Sequence, residues 1–295
     1  MTTRALVVMK RTALSRLKQS PDAGSRRMLE LMAEADESVA GIRAAHMEHV
    51  ASVDRVRETL RRLEVDFKET HDLPKRPIKD VDLVIAVGGD GTALAVSHAV
   101  RDGAALLAVN SAPSFSVGHL TGATAETFEE RLLEFMKGKL RPLTVQRLNV
   151  RIGRRALPEP VLNDVLFCAD NPALMTRYKL TWPDGEELQR SSGVWVSTPA
   201  GSTGALASAG GPILPLTARQ FAFYVREPYS PPGETLRVRS AVLVKEDVLH
   251  IECRIHGASV FIDGSHRVHE VPFGETVSFT LDDRPLYLVR PPHLG

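Results

Sequence analysis

Five residues, Gly88-Gly89-Asp90-Gly91-Thr92, bring together groups with opposing tastes. Without Cβ atoms, Gly88, Gly89 and Gly91 take positive φ at little cost and let backbone N–H groups approach a ligand, as a phosphate-holding loop requires. Thr92 can cap a following helix. Asp90 fits phosphate badly, because a carboxylate repels it. Such an aspartate must serve some other purpose, such as holding a metal, accepting a proton or binding a sugar hydroxyl. For Gly-Asp-Gly alone, ordinary turn chemistry, in which Asp bonds its own backbone, is the competing explanation. The sequence contains no Gly-x-x-x-x-Gly-Lys-Ser/Thr, so a P-loop mechanism is not available.

A second constellation lies downstream. Leu162-Asn163-Asp164-Val165 sets two polar side chains inside an otherwise apolar strand, where burial without partners costs about 1–3 kcal/mol each. Such a pair needs a ligand or a turn. Arg190-Ser191-Ser192-Gly193 then leads through an apolar run into Thr198-Pro199-Ala200-Gly201-Ser202-Thr203-Gly204, and the chain continues to Ser208-Ala209-Gly210-Gly211-Pro212. Small hydroxyl residues and glycines let a planar nucleotide lie close to the backbone, and Arg190 can pair with phosphate. The histidines are less telling. His119 is expected to be a solvated loop residue, and His46 and His49 to lie on a helix surface.

The elements that must position these residues read as follows. Leu83 to Val87 is apolar without alternation, the pattern of a strand buried on both faces of a parallel sheet, and it stops at glycine. Ala5 to Met9 reads as a first strand, in preference to a transit peptide despite Arg4, Lys10, Arg11, Arg16 and Lys18. A loop around Ser20 to Gly24 precedes a long helix-favouring region. Glu64 to Phe67 is a short strand, and His71 to Pro77 a loop. Ala105 to Val109 is another buried strand, ending at Asn110-Ser111. Ligands gather at the carboxyl ends of strands in such sheets, so Asn110 is expected to face the crevice that Asp90 faces. Thr127 to Phe135 reads as an amphipathic helix ending near Gly138. Beyond Pro142 the texture changes to short strands at Leu143–Ile152, Val161–Phe167, Thr176–Trp182, Gly193–Ser197 and Ala241–Ile255. The fold class is therefore α/β plus all-β: an open parallel α/β domain, then a β-rich domain from about Arg141.

Composition narrows the classes further. The 295 residues, 43% of them hydrophobic, suffice for two domains. A net charge of +1 argues against nucleic acid as a partner. No run approaches the ~20 apolar residues of a transmembrane helix, which argues against a membrane partner. Two cysteines, Cys168 and Cys253, form neither a metal spacing nor a disulfide framework, as in a reducing compartment, and a cytoplasmic location is expected.

The Gly-Gly-Asp-Gly-Thr loop resembles that of hydroxyl kinases without a Walker A loop: the NAD kinases, the diacylglycerol and sphingosine kinases and, with a terminal serine, the 6-phosphofructokinases. Together with the Asn163-Asp164 pair and the Thr198-to-Pro212 stretch, in this order, it makes the chain similar to the NAD kinases from about Val81 onward. Arg190-Ser191-Ser192-Gly193 and Arg226-Glu227-Pro228-Tyr229-Ser230-Pro231 look most like the branch containing plant NADH kinases.

The resemblance implies an enzyme that transfers the γ-phosphoryl group of ATP, supplied with Mg²⁺, to the 2′-hydroxyl of the adenosine ribose of NAD⁺ or NADH, with no tightly bound prosthetic group and no protein metal site. It makes Asp90 the catalytic base and Gly88, Gly89, Gly91 and Thr92 the ATP phosphate loop. Asp90, Gly91, Asn110, Asn163, Asp164, Arg190, Ser192, Thr198, Ser202, Thr203, Gly204, Ser208 and Asp263 would bind the dinucleotide. It also implies domains at residues 1–141 and 142–274, a tail from 275 to 295 that returns to the first, and a homodimer or homotetramer. Two departures bear on redox preference: many bacterial members have Asp at Ser192 and Tyr at Ala205. A non-catalytic dinucleotide sensor and a lipid or sugar kinase sharing the glycine loop are the alternatives. Asp90 speaks against the sensor, because binding alone would not favour a carboxylate beside phosphates.

Overall fold

The structure is a computed structural model that describes residues 3–101, 103–230, 233 and 235–291. It divides into two compact units, one running to Leu143 and resuming at Leu286, the other spanning Thr144–Pro285. In chain order the first contains β1 (Arg4–Met9), α1 (Ala13–Gln19), α2 (Ala23–Ala33), α3 (Ala40–Arg62), β2 (Asp66–Thr70), β3 (Leu83–Gly88), α4 (Asp90–Ser97), β4 (Ala105–Asn110), β5 (Ala123–Thr124) and α5 (Phe128–Met136). β6 (Leu143–Val145) leads the chain into the second unit.

β3 and β4 are buried at every residue, as their unbroken apolar runs require. The sheet order is β2-β1-β3-β4, with β5 against β4, and each of these pairs is parallel. From β1 the chain goes to β2 on one side and then to β3 on the other. The order therefore reverses between β1 and β3, the place where open α/β sheets bind ligands beyond the strand ends. α1 is a helix where the sequence suggests only the approach to a loop; Thr12 caps it by accepting the Ser15 N–H. α3 packs His49, Ser52, Val53, Val56, Thr59 and Leu60 inward.

The second unit contains β7 (Leu148–Ile152), β8 (Arg155–Ala156), β9 (Asp164–Ala169), β10 (Thr176–Trp182), β11 (Gly185–Ser191), β12 (Gly193–Ser197), β13 (Gln220–Arg226), β14 (Ser240–Val244), β15 (Leu249–Cys253), β16 (Ala258–Ile262), β17 (Arg267–Val271) and β18 (Thr276–Leu281). They form two six-stranded sheets, β11-β10-β15-β18-β7-β8 and β14-β13-β12-β9-β16-β17. The alternating buried residues of both meet in one core, where Phe167 of β9 and Tyr178 of β10 touch edge to face at 5.9 Å.

Three expectations shift. The segment Ala241–Ile255 is two strands, β14 and β15, separated by a turn in which the Val244 N–H bonds the Asp247 carboxylate at 2.8 Å. Asn163 precedes β9, because Asp164 is the first residue to pair in the sheet. The tail does not leave at residue 275: β18 pairs with β15 and β7 inside the second unit. The return begins with β19 (Leu286–Leu288), which lies parallel to β4. Just before it, buried Arg147 donates to the carbonyls of Arg284 at 2.9 Å and Pro285 at 3.1 Å. Residues 292–295 of the expected tail lie outside the described residues.

Candidate functional site

The glycine loop sits where β3 gives way to α4, and its glycines serve space more than conformation. None of Gly88, Gly89 and Gly91 has a positive φ. A Cβ on Gly88 would lie 2.3 Å from Thr92 Oγ1, and one on Gly89 3.1 Å from Ser116 Oγ, whereas one on Gly91 would meet nothing within 4 Å. Gly91 thus leaves the start of α4 open: the Thr92 and Ala93 N–H groups bond the Gly89 carbonyl at 2.9 and 3.2 Å, and the amides of Asp90 and Gly91, ahead of them, are the ones placed to attract an anion. Thr92 does not cap this helix. Gly89 occupies the cap position, Asp90 begins the helix, and the Thr92 side chain folds back over Gly88. The half-buried Asp90 carboxylate accepts N–H groups from His119 at 2.8 Å and Leu120 at 2.7 Å. It therefore points toward the 112–121 loop and fixes it, while the His119 ring is exposed.

Two residues of this unit differ from expectation. Asn110 is 3% exposed; it donates to the Ser116 carbonyl at 2.8 Å and accepts from the Ala112 N–H at 3.3 Å, so it shapes the loop instead of facing the crevice. His49 is buried, not on the surface, and its Nδ1 lies 2.8 Å from Ser111 Oγ. Burial, with Lys10 and His46 nearby, pulls its pKa down to about 4, so the ring is neutral. The Ser111 N–H bonds the Gly88 carbonyl and the Lys10 N–H the Val87 carbonyl, tying His49 and the end of β1 to the glycine loop. Spacing held the clue: 49, 53, 56 and 60 share one helix face, whereas Val50 is exposed.

In the second unit, side chains serve the backbone. Asp263, at φ 49°, accepts the N–H groups of Leu162 at 2.9 Å, Asn163 at 2.8 Å and Asp164 at 3.0 Å. Thr198, fully buried, donates its hydroxyl to the Leu162 carbonyl, and its N–H bonds the Asn163 carbonyl at 2.9 Å. Gly201 packs so closely that a Cβ would sit 2.4 Å from the Asn163 oxygen. Ser202, fully buried too, bonds Pro199 and Leu214. This lattice brings Asn163, Asp164, Thr198, Ser202 and Asp263 together. It leaves buried Asn163 Oδ1 without a partner. Burial, followed by the charge of Asp263, pushes the half-buried Asp164 carboxyl up to about 7.

The remaining candidates are more open. Thr203, Gly204 and Ser208 are exposed on the segment that leads away from Ser202. Arg190 lies on β11, the edge of the other sheet, with its guanidinium 5.4 Å from the Tyr229 ring centre. Arg226 lies 5.8 Å over Trp195, and the Arg226 carbonyl takes the Ser192 N–H at 3.1 Å. Pro231 of that stretch is outside the described residues. Among the described residues, no group of three or more His, Cys, Asp or Glu side chains gathers closely enough to hold a metal, and no helix is long and apolar enough to cross a membrane.

Known proteins resemble this chain in sequence and fold. A family model described as the ATP-NAD kinase N-terminal domain matches residues 7–140. A protein named "Probable NADH kinase" from Oryza sativa subsp. japonica is 33% identical over 270 residues, which are 83% of this chain and 82% of that protein. The "NADH kinase" of Arabidopsis thaliana is 34% identical over 258 residues, 79% of this chain and 81% of its own. Among solved structures, an NAD kinase from Archaeoglobus fulgidus in complex with ATP has a TM-score of 0.69 at 22% identity, covering 98% of this chain and 94% of that one. Yeast NADH kinase complexed with NADH gives 0.70 at 15% identity, with 98% and 84% covered. These two establish likeness of fold. Identity of a third across four-fifths of both chains, with the glycine loop intact, establishes more: the chain belongs to the NAD kinase family.

Proposed function

We propose that the protein transfers the γ-phosphoryl group of ATP to the 2′-hydroxyl of the adenosine ribose of NAD⁺ or NADH, giving NADP⁺ or NADPH. The observation that carries this reading is Asp90, a carboxylate held by two amides at the open start of α4. A sugar hydroxyl is a weak acid, so Asp90 orients it and takes its proton late. The loop formed by Gly88, Gly89, Gly91 and Thr92 receives the ATP phosphates, the amide of Gly91 and the hydroxyl of Thr92 among its donors, with Mg²⁺ arriving on the nucleotide as part of the substrate.

We assign the dinucleotide to the second unit. The free Oδ1 of Asn163 and the carboxyl of Asp164 receive adenine and ribose, and Thr203, Gly204 and Ser208 offer the open polar surface beyond. Arg190 takes pyrophosphate or ribose, and Ser192 follows two residues later. Thr198, Ser202 and Asp263 hold that surface in shape without touching the substrate, and Asn110 does the same for the loop in the first unit. We further expect a homo-oligomer in the cytoplasm; two free cysteines, one of them fully buried, suit a reducing compartment.

The deciding experiment is to incubate purified protein with ATP and Mg²⁺ and to offer NAD⁺ and NADH separately, with Asp90→Asn as control. Product that vanishes in the variant supports the reaction, and the ratio of kcat/KM values names the preferred redox form. Tight dinucleotide binding without product in the wild type overturns the reading in favour of a sensor.

A further inference from the structure

The strand that returns to the first sheet carries a charge that packing does not explain. β19 sets Tyr287 beside Ala105 and Leu288 beside Leu106, and the Val289 N–H bonds the Leu106 carbonyl at 2.8 Å. Val289 is fully buried in the core of the first unit. Side chains alternate along extended chain, so Arg290 turns to the other face. Its position is tightly set. A Cβ on Gly122 would lie 2.0 Å from the Val289 oxygen and 3.2 Å from Arg290 Cα, so the tail rests directly on that glycine.

Arg290 Nε is buried and has no hydrogen-bond partner. Among the described residues Arg290 forms no ion pair, yet its backbone rests on Gly122, two residues beyond the Leu120 amide that Asp90 accepts, and the charge of Asp90 acts on its guanidinium. Burial lowers its pKa and the charge of Asp90 works against that, but a guanidinium remains a cation. Asp90 meanwhile accepts one amide on each oxygen, from His119 and Leu120, and keeps its remaining lone pairs free of Arg290. An unused, desolvated N–H donor is costly to keep. Beside a glycine loop and an open helix start, an anion is what would satisfy it.

We propose that Arg290 donates hydrogen bonds to the phosphoryl group being transferred at the Gly88–Thr92 loop, so that the returning strand supplies a protein cation beside the Mg²⁺ carried by ATP. The inference rests on the kinase reading above. In that step the bond from γ-phosphorus to the bridging oxygen breaks, ADP leaves with the electron pair, the bond to the ribose 2′-oxygen forms, and the hydroxyl proton passes to Asp90. Negative charge spreads over the three equatorial oxygens, and a planar guanidinium fork matches two of them. Nothing in the glycine loop itself carries positive charge, which leaves that role to a residue remote in sequence.

The test compares wild type, Arg290→Ala and Arg290→Lys by steady-state kinetics, with melting curves to confirm folding. Arg290→Ala is expected to lose about 100-fold or more in kcat, with KM for the dinucleotide changed by less than about threefold. Arg290→Lys recovers part of the rate, and added guanidinium ion rescues Arg290→Ala but not Asp90→Asn. A kcat within about threefold of wild type, or a loss that follows a collapse in Tm without rescue, overturns the proposal. If the wild type makes no NADP(H), the kinase reading falls on its own account and calorimetry decides on Arg290. Inorganic tripolyphosphate bound at least about tenfold more weakly by Arg290→Ala, with AMP unchanged, supports a phosphate contact; equal affinities overturn it.

Discussion

Asp90 and Asp263 do similar things in the two units with different results. Each accepts backbone N–H groups from a segment distant in sequence, Asp90 from His119 and Leu120, Asp263 from Leu162, Asn163 and Asp164. Asp90 stands at a helix start with open space in front of Gly91. Asp263 stands in a left-handed turn whose carboxylate knits together the segment that presents Asn163 and Asp164. Two amides steady a carboxylate and leave lone pairs for a substrate proton, whereas three make it a strut. The chemical type of a residue therefore does not set its role; what already occupies its oxygens does.

The largest effect that separates the two is expected from Asp90→Asn. Its NH₂ group meets one of the two amides donor to donor and removes the proton acceptor, so kcat falls by about 10²–10⁴-fold. Steady-state kinetics reads this loss, and denaturation of the second unit should be untouched. Asp263→Ala acts in the opposite sense. Three amides lose their acceptor, destabilising the second unit by about 2–4 kcal/mol and raising KM for the dinucleotide more than it lowers kcat. Equal losses of kcat from both variants, with unchanged denaturation midpoints, would erase the distinction.

Asp164→Asn sharpens it through pH. Because the Asp164 carboxyl is raised to about 7, the folded state holds its proton more tightly than the unfolded chain. That contribution is fully present below the ordinary carboxylate pKa and is lost as pH rises through about 7. KM for the dinucleotide is expected to fall from pH 6 to pH 8, as the carboxylate forms to accept ribose hydroxyls, by about threefold to tenfold. In Asp164→Asn the profile should be flat. His49 gives the smallest effect and the opposite slope. Its pKa is depressed to about 4, so its contribution is present above 6.5 and lost as pH falls toward 4. His49→Gln should flatten melting temperature over that window by about 2–4 °C, read by thermal scans at pH 4.5 and 7.5.

What could be read from the sequence was what local pattern encodes. The unbroken apolar runs of β3 and β4 announced a buried parallel sheet, and β10 and β12 span the same residues as the alternating segments that suggested them. The glycine loop declared itself by its place after β3. Partners far apart in sequence did not. Asp263 lies 99 to 101 positions from the amides it accepts, and Arg147 137 and 138 from the carbonyls it clasps. Asn110 looked like a crevice residue because strand ends usually are, but its amide closes a local loop instead. Thr92 had the composition of a cap without the position, since Gly89 already ended the extended chain.

The pairing of β19 with β4 also has a consequence for how the protein is made. β4 leaves the ribosome roughly 180 residues before the strand that lies against it. At about 5–20 residues per second that is a wait of roughly 9 to 36 s during which only β5, at the far end of β4, covers that flank of the sheet. The second unit is synthesised within that interval, so it can fold before the first is finished. A nascent chain stalled before Leu286 would display the glycine loop without Arg290, and, on the proposal above, phosphoryl transfer would reach its full rate only once synthesis has passed β19.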